Sequence, residues 1–196
     1  MGFLFSKTLA MKYYKVIPSE ISDLEALNTP ITLFYNKEIG YIKAKYGIRI
    51  HETKNAPNLM FLKKLPFGYV VSNKLKNILK KHQLPAYQFY PIPVLKDEQI
   101  IQYYWLHWML DFWNYVDTEK SQLQKQHENQ EVFLKKGISF KTLVLKKDFP
   151  KYDIFNIDNS EKEIYFSERL VKKIEKTKLS EIIIKEHLYI GNHKSL

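Results

Sequence analysis

Two stretches of the chain, ninety-five positions apart, repeat one pattern of apolar and polar residues. Each begins with a short apolar run that ends in a serine, Ser72 in the first stretch and Ser167 in the second. Apolar residues then recur at helical spacing, as Leu75 and Leu79 do in the first stretch. A second apolar run follows in both stretches. The pattern is typical of a strand, a short amphipathic helix and another strand.

Each serine lies where a helix is expected to begin. A serine hydroxyl at that position can accept a hydrogen bond from a backbone N–H of the first helical turn, which otherwise has no partner. Because Ser72 and Ser167 occupy equivalent positions, we predict that both are N-caps and that neither is a nucleophile. The sequence thus predicts two similar units of strand, Ser-capped helix and strand, at about residues 69–92 and 164–187.

The remaining segments read mainly as short β-type runs separated by turn residues. One exception is near the amino terminus, where Ser19 or Ser22 is predicted to cap a short acidic helix that continues through Leu27. No long linker or charge block divides the chain. We therefore expect one α+β domain over residues 1–196, with mostly antiparallel strands and short helices packed on one side. Residues 1–10 are expected to be a frayed leader.

Residues 100–117 are dense in aromatic side chains. The aromatic bias favours extended structure over a helix. These rings can fill the core, leave one or two of their number exposed as anchors for a protein partner, or stack on nucleic-acid bases. Asp111 is the unusual residue, because a carboxylate among rings is costly unless it is paired or faces solvent. The candidate partner-binding residues all lie in this segment: Tyr104, Trp105, Trp108, Asp111, Trp113 and Asp117.

The formal net charge is +10, and all but two of the 31 basic residues are lysines. The two arginines are Arg49 and Arg169. Proteins that grip phosphates or bases tend to use arginine, whose planar fork donates two parallel hydrogen bonds. The lysine bias therefore weakens a nucleic-acid interpretation. Several basic residues fall on the two repeated helices, so an acidic partner is a permitted inference.

No recognisable catalytic, cofactor or metal motif is present. The chain has no cysteine, its six histidines are scattered, and it has no glycine-rich phosphate loop or Gly-x-Ser-x-Gly elbow. No uncharged apolar run approaches the roughly twenty residues that span a bilayer. We therefore predict no catalytic residues, no cofactor, no metal and no membrane association. The sequence leaves the oligomeric state open.

Three segments together resemble a known family. The first consists of Tyr103-Tyr-Trp-Leu, Asp111 and Val-Asp117-Thr-Glu-Lys-Ser121. It resembles the middle segment of a family of small bacterial immunity proteins from polymorphic-toxin systems. The run that begins with Asp153-Ile-Phe-Asn and continues past Ser167-Glu-Arg-Leu is similar to that family's closing motif. Val71-Ser72-Asn-Lys-Leu75 also fits. The resemblance covers roughly residues 60–190.

The resemblance implies a non-enzymatic cytoplasmic protein that binds a cognate toxin domain and neutralises it by steric occlusion. It does not identify the toxin or its chemistry. The alternative of a different class is a nucleic-acid-binding protein that uses the lysine-rich helices and exposed rings. An enzyme is a third alternative, and it lacks a convergent set of catalytic residues.

Overall fold

The computed structural model of the chain describes residues 12–20, 24–27, 47–50, 56–61, 68–96, 99–108, 112–123, 140–157, 164–179 and 182–184. These residues form thirteen strands, two α-helices and one 3-10 helix, Phe112–Tyr115. The helices are α1 (Asn73–Leu79) and α2 (Glu168–Lys176). The strands are β1 (Tyr13–Ile17), β2 (Ser19–Glu20), β3 (Leu24–Leu27), β4 (Gly47–Ile50), β5 (Leu59–Phe61), β6 (Gly68–Ser72), β7 (Tyr87–Lys96), β8 (Gln99–Trp108), β9 (Gln122–Leu123), β10 (Phe140–Thr142), β11 (Ile154–Phe155), β12 (Ile164–Ser167) and β13 (Ile183–Ile184).

Two sheets make up most of this fold. The larger sheet has seven strands in the order β2-β5-β6-β8-β7-β4-β3, and the smaller has four in the order β11-β12-β1-β13. Strands β9 and β10 pair separately. Most neighbours are antiparallel; the parallel pairs are β2 with β5 and β4 with β7. The predicted α+β class with mostly antiparallel strands is confirmed.

The two repeated stretches have the same topology, one in the larger sheet and the other in the smaller sheet. In the larger sheet, α1 connects β6 to β7, and both of these strands are antiparallel to β8, which lies between them. In the smaller sheet, α2 connects β12 to β13, and both are antiparallel to the intervening strand β1. Each stretch is thus a split β-α-β unit, in which the connected strands run parallel around a third.

The equivalence of the units extends upstream of their helices. Leu59 pairs with Val71 in the first unit, and Ile154 pairs with Phe166 in the second, each residue ninety-five positions later than its counterpart. β5 and β11 are therefore equivalent strands, each paired with the strand that leads into the helix, although β11 is an edge strand and β5 lies between β2 and β6. We call residues 58–96 the first unit and residues 153–184 the second unit.

One hydrophobic core joins both sheets and both helices. Leu75 of α1 and Leu170 of α2 occupy equivalent positions, and neither exposes any surface. Burial of such a leucine stabilises the fold by about 1.5–3 kcal/mol. The two helices contact each other as well as their own sheets. This packing fixes the outer faces of α1 and α2 relative to one another.

The predicted acidic helix near the amino terminus is wrong. Ser19 lies in β2, and Leu27 lies in β3. Residues 24–27 pair antiparallel with residues 47–50, so hydrogen bonding to a distant strand outweighs the weak helical preference of a short acidic segment. The predicted extended structure of the aromatic segment is confirmed for β8, after which the chain turns into the 3-10 helix. The predicted leader, residues 1–10, lies outside the described residues.

Candidate partner-binding surface

Helix α2 presents a row of cations on its outer face. Ser167 is its N-cap, and its hydroxyl accepts a hydrogen bond from the Leu170 N–H at 3.2 Å. The apolar positions of α2 turn inward, which leaves the other positions exposed to solvent. Glu168 lies in the first turn and the lysines lie in the last, an arrangement that the helix dipole favours. The exposed cations are Arg169, Lys172, Lys173 and Lys176.

This row forms one wall of an open groove of about 440 Å³. His82, which follows the end of α1, also lines the groove. The lining residues are His82, Glu168, Arg169, Lys172, Lys173 and Lys176, and we call this the α2 groove. None of the lining residues is an apolar or a large aromatic side chain, so the groove offers charge and hydrogen-bond donors.

A buried carboxylate, Asp153, lies beneath the groove with no exposed surface. Its Oδ1 accepts hydrogen bonds from the Ser167 hydroxyl and from Arg169 Nε, the latter at 3.0 Å. Its Oδ2 accepts from Arg169 Nη2 and, at 2.7 Å, from the Gln83 N–H. His82 Nδ1 lies 3.3 Å from the same oxygen. The Arg169 guanidinium is therefore held by two parallel bonds, the geometry in which arginine binds a carboxylate best.

These contacts determine the charge state of Asp153. Burial alone raises the pKa of a carboxyl group, but the hydrogen bonds from Arg169, Ser167 and the Gln83 N–H outweigh burial and leave the pKa of Asp153 below its usual value. The hydrogen bond to Asp153 in turn raises the pKa of Arg169. Both groups are charged at neutral pH.

Two of the four cations on α2 are compensated by carboxylates. Asp153 pairs with Arg169, and Glu168 pairs with Lys172, whose Nζ lies 3.0 Å from the Glu168 Oε1. The excess positive charge of the groove therefore belongs to Lys173 and Lys176.

The first unit has the same serine contact without the charge. The Ser72 hydroxyl donates to Asn58 Oδ1 at 2.7 Å, and the two residues are separated by 14 positions, as are Ser167 and Asp153. The backbone repeats this too, because Ser72 N–H donates to the Asn58 carbonyl just as Ser167 N–H donates to the Asp153 carbonyl. Ser72 is the N-cap of α1 and accepts from the Leu75 N–H at 3.2 Å.

The aromatic candidates divide between the interior and the surface. Trp105 is 1% exposed and Trp108 is 5% exposed. The Trp108 indole N–H donates to Asn156 Oδ1 at 2.9 Å, also within the interior. Tyr104 is half-buried, and Lys76 Nζ lies 3.2 Å from its ring centroid in a cation–π contact. Both tryptophans therefore lie in the core, which is one of the roles that the sequence allowed for these rings.

The remaining candidates lie after β8. Trp113 is half-buried and packs against Phe140, with ring centroids 5.9 Å apart. Asp117 pairs with Lys120 at 2.8 Å, and this hydrogen bond lowers the pKa of Asp117. Asp111 lies outside the described residues. A role in partner binding stays a prediction for all six candidates.

Asp153 and His82 were not among the residues that the sequence singled out for a site. A sequence signal for Asp153 does exist, because Asn58 and Asp153 both precede a capping serine by 14 positions. His82 has no comparable signal, since its relation to Asp153 depends on how the two units pack. Within the described part of the chain, no three His, Asp or Glu side chains are grouped as metal ligands would be, and no helix is long and apolar enough to cross a membrane.

Comparison with known proteins gives a family. No curated protein matches the chain. Residues 10–186 match the family model described as "Immunity protein family (Imm11)". This match spans both split β-α-β units, the aromatic strand β8 and the α2 groove, and the chain therefore belongs to the Imm11 immunity protein family.

Proposed function

We propose that this protein binds a cognate bacterial toxin domain of a polymorphic-toxin system and neutralises it. The observation that carries the proposal is the family match over residues 10–186. The proposed mechanism is steric occlusion, in which a preformed surface covers the active site of the toxin domain. The immunity protein performs no bond chemistry of its own in this mechanism and acts in the cytoplasm.

The geometry of the second unit supports a preformed binding surface. Arg169 is held by a buried carboxylate, and the helix that carries it is capped by Ser167 and anchored by Leu170. Side chains that are already fixed lose less conformational entropy when a partner binds. A rigid frame therefore favours tight binding.

A co-expression experiment tests the proposal. The toxin candidate is a variable carboxy-terminal domain of a large secreted protein encoded next to the gene. This domain is expressed from an inducible promoter with the wild-type chain, with an empty vector, or with an unrelated basic protein of similar size. We expect survival only with the wild-type chain, and co-purification of the two proteins. If the chain neither rescues growth nor binds any neighbour-encoded domain, the proposed function is wrong.

A further inference from the structure

We infer that the α2 groove docks an acidic segment of a protein partner. That this partner is a toxin domain rests on the function proposed above. The acidic character of the docking segment rests only on the groove.

The spacing of the cations concentrates charge on one stripe. Arg169, Lys172, Lys173 and Lys176 stand at positions i, i+3, i+4 and i+7 of α2, so they share one face of the helix. Like charges at these spacings destabilise a helix. Within the described part of the chain, Lys173 and Lys176 have no carboxylate partner. The helix dipole favours Lys173 and Lys176 in the last turn of α2, but it does not neutralise them, so both ammonium groups remain available to carboxylates of another protein.

The walls of the groove favour a polypeptide over a nucleic acid. Single-stranded nucleic acids are usually held by aromatic rings on which bases stack, and the side chains that line this groove include only one ring, the His82 imidazole. The fork of Arg169, which would otherwise bind a phosphate, is already occupied by Asp153. The remaining lysine ammonium groups bind carboxylates and phosphates alike as point charges, so the near absence of rings among the lining residues is the feature that favours a polypeptide.

The size of the groove limits the occupant. A volume of about 440 Å³ is at the lower end of the range for ligand sites, roughly 300–1,000 Å³. It admits a few side chains and not a whole element of the partner. The occupant is therefore a short acidic segment that anchors the edge of a larger interface.

A probe that does not depend on the toxin tests this inference. A fluorescein-labelled octaglutamate peptide is titrated at low salt into the wild-type protein and into Lys173→Glu/Lys176→Glu. The matched control is Lys74→Glu/Lys80→Glu, which reverses two exposed charges that do not line the groove, one within α1 and one at its C-cap. An oligonucleotide of eight thymidines is titrated in parallel. Circular dichroism checks that each variant is folded.

We expect the peptide to bind the wild-type and control proteins alike and to bind the α2 variant about 10-fold or more weakly. A smaller loss of peptide affinity in Lys173→Gln/Lys176→Gln, which removes the two charges without reversing them, would support the charge origin of the effect. Equal peptide binding by both double variants would overturn the inference, as would the absence of peptide binding to the wild-type protein. Tighter binding of the oligonucleotide than of the peptide would assign the groove to nucleic acid and would also overturn it.

The toxin domain, once found, separates this inference from the proposed function. We expect the α2 variant to associate with it about 10- to 100-fold more slowly than the control does at low salt. If both double variants associate as the wild type does, the groove inference is wrong and the immunity function stands. If the peptide occupies the groove but no neighbour-encoded domain binds the chain, the proposed function is wrong and the groove inference stands.

Discussion

The Asp153→Asn substitution removes a buried negative charge and keeps the shape of the side chain. The carboxylate accepts hydrogen bonds at both oxygens, whereas an asparagine amide has one oxygen and a donor in place of the other. Arg169 Nη2 and the Gln83 N–H share one carboxylate oxygen, and the Ser167 hydroxyl uses the other. Either orientation of the amide therefore leaves at least one of these donors without an acceptor.

The cost can be worked from these contacts. A buried donor that loses its acceptor costs about 1–3 kcal/mol. Loss of the ion pair adds about 1 kcal/mol and not the 3–5 kcal/mol of a fully buried pair, because the Arg169 side chain is 60% exposed and remains solvated. The expected loss in the free energy of unfolding is about 2–4 kcal/mol. For a chain of this length that lowers Tm by roughly 4–16 °C.

Urea unfolding, followed by tryptophan fluorescence, measures the effect. The matched control is Asp148→Asn, the same chemical change at an exposed aspartate, which should shift the free energy of unfolding by less than about 0.5 kcal/mol. A double-mutant cycle with Arg169→Gln isolates the pair. If Asp153→Asn costs no more than Asp148→Asn, the buried carboxylate does not stabilise the second unit and the reasoning above is refuted.

Three further predictions concern hydrogen bonds and charges in the two units. Ser167→Ala should lower the free energy of unfolding by about 1.5–3 kcal/mol, and Ser72→Ala should lower it by about 1 kcal/mol. The loss is larger at Ser167 because that substitution removes both an N-cap and a hydrogen bond to a charged acceptor. Equal losses in urea unfolding would contradict this. Trp108→Phe should cost about 1–3 kcal/mol in the same assay, since the Asn156 side-chain oxygen loses a buried donor, and an unchanged midpoint would argue against that bond. The pKa of Asp153 is lower in the folded than in the unfolded protein, so its stabilisation is present above about pH 4 and is lost as pH falls through the folded pKa. Asp153→Asn should therefore lose less stability than the wild type below pH 4, and parallel pH profiles would contradict the assignment.

The elements that the sequence predicted correctly are those with local signals. Ser72 and Ser167 each stand between an apolar strand and a helical spacing of apolar residues, and such a signal needs no knowledge of the rest of the chain. The extended structure of β8 is of the same kind, because its aromatic bias lies within the strand itself.

The elements that the sequence missed depend on distant pairing. Residues 24–27 are a strand because residues 47–50 lie alongside them, and nothing within the segment itself identifies that partner. The sequence allowed a core position for the aromatic rings but did not say which of them are buried. Trp105 and Leu106 point to opposite faces of β8 and are both buried, so the burial of Trp105 depends on what covers the second face of the sheet. His82 reaches Asp153 only because the end of α1 packs beside the second unit. Composition and periodicity carry none of this information.

The comparison of the two units shows what the carboxylate adds. A residue at this position must accept a hydrogen bond from the capping serine, and Asn58 meets that requirement in the first unit without a charge. Asp153 meets it in the second unit and also holds Arg169 at the wall of the α2 groove. In the second unit the neutral residue is expected to cost about 2–4 kcal/mol, because Arg169 and the Gln83 N–H also depend on the carboxylate. The effect specific to Asp153 is to hold the Arg169 guanidinium on the helix that also carries Lys173 and Lys176, the residues with the excess positive charge of the α2 groove.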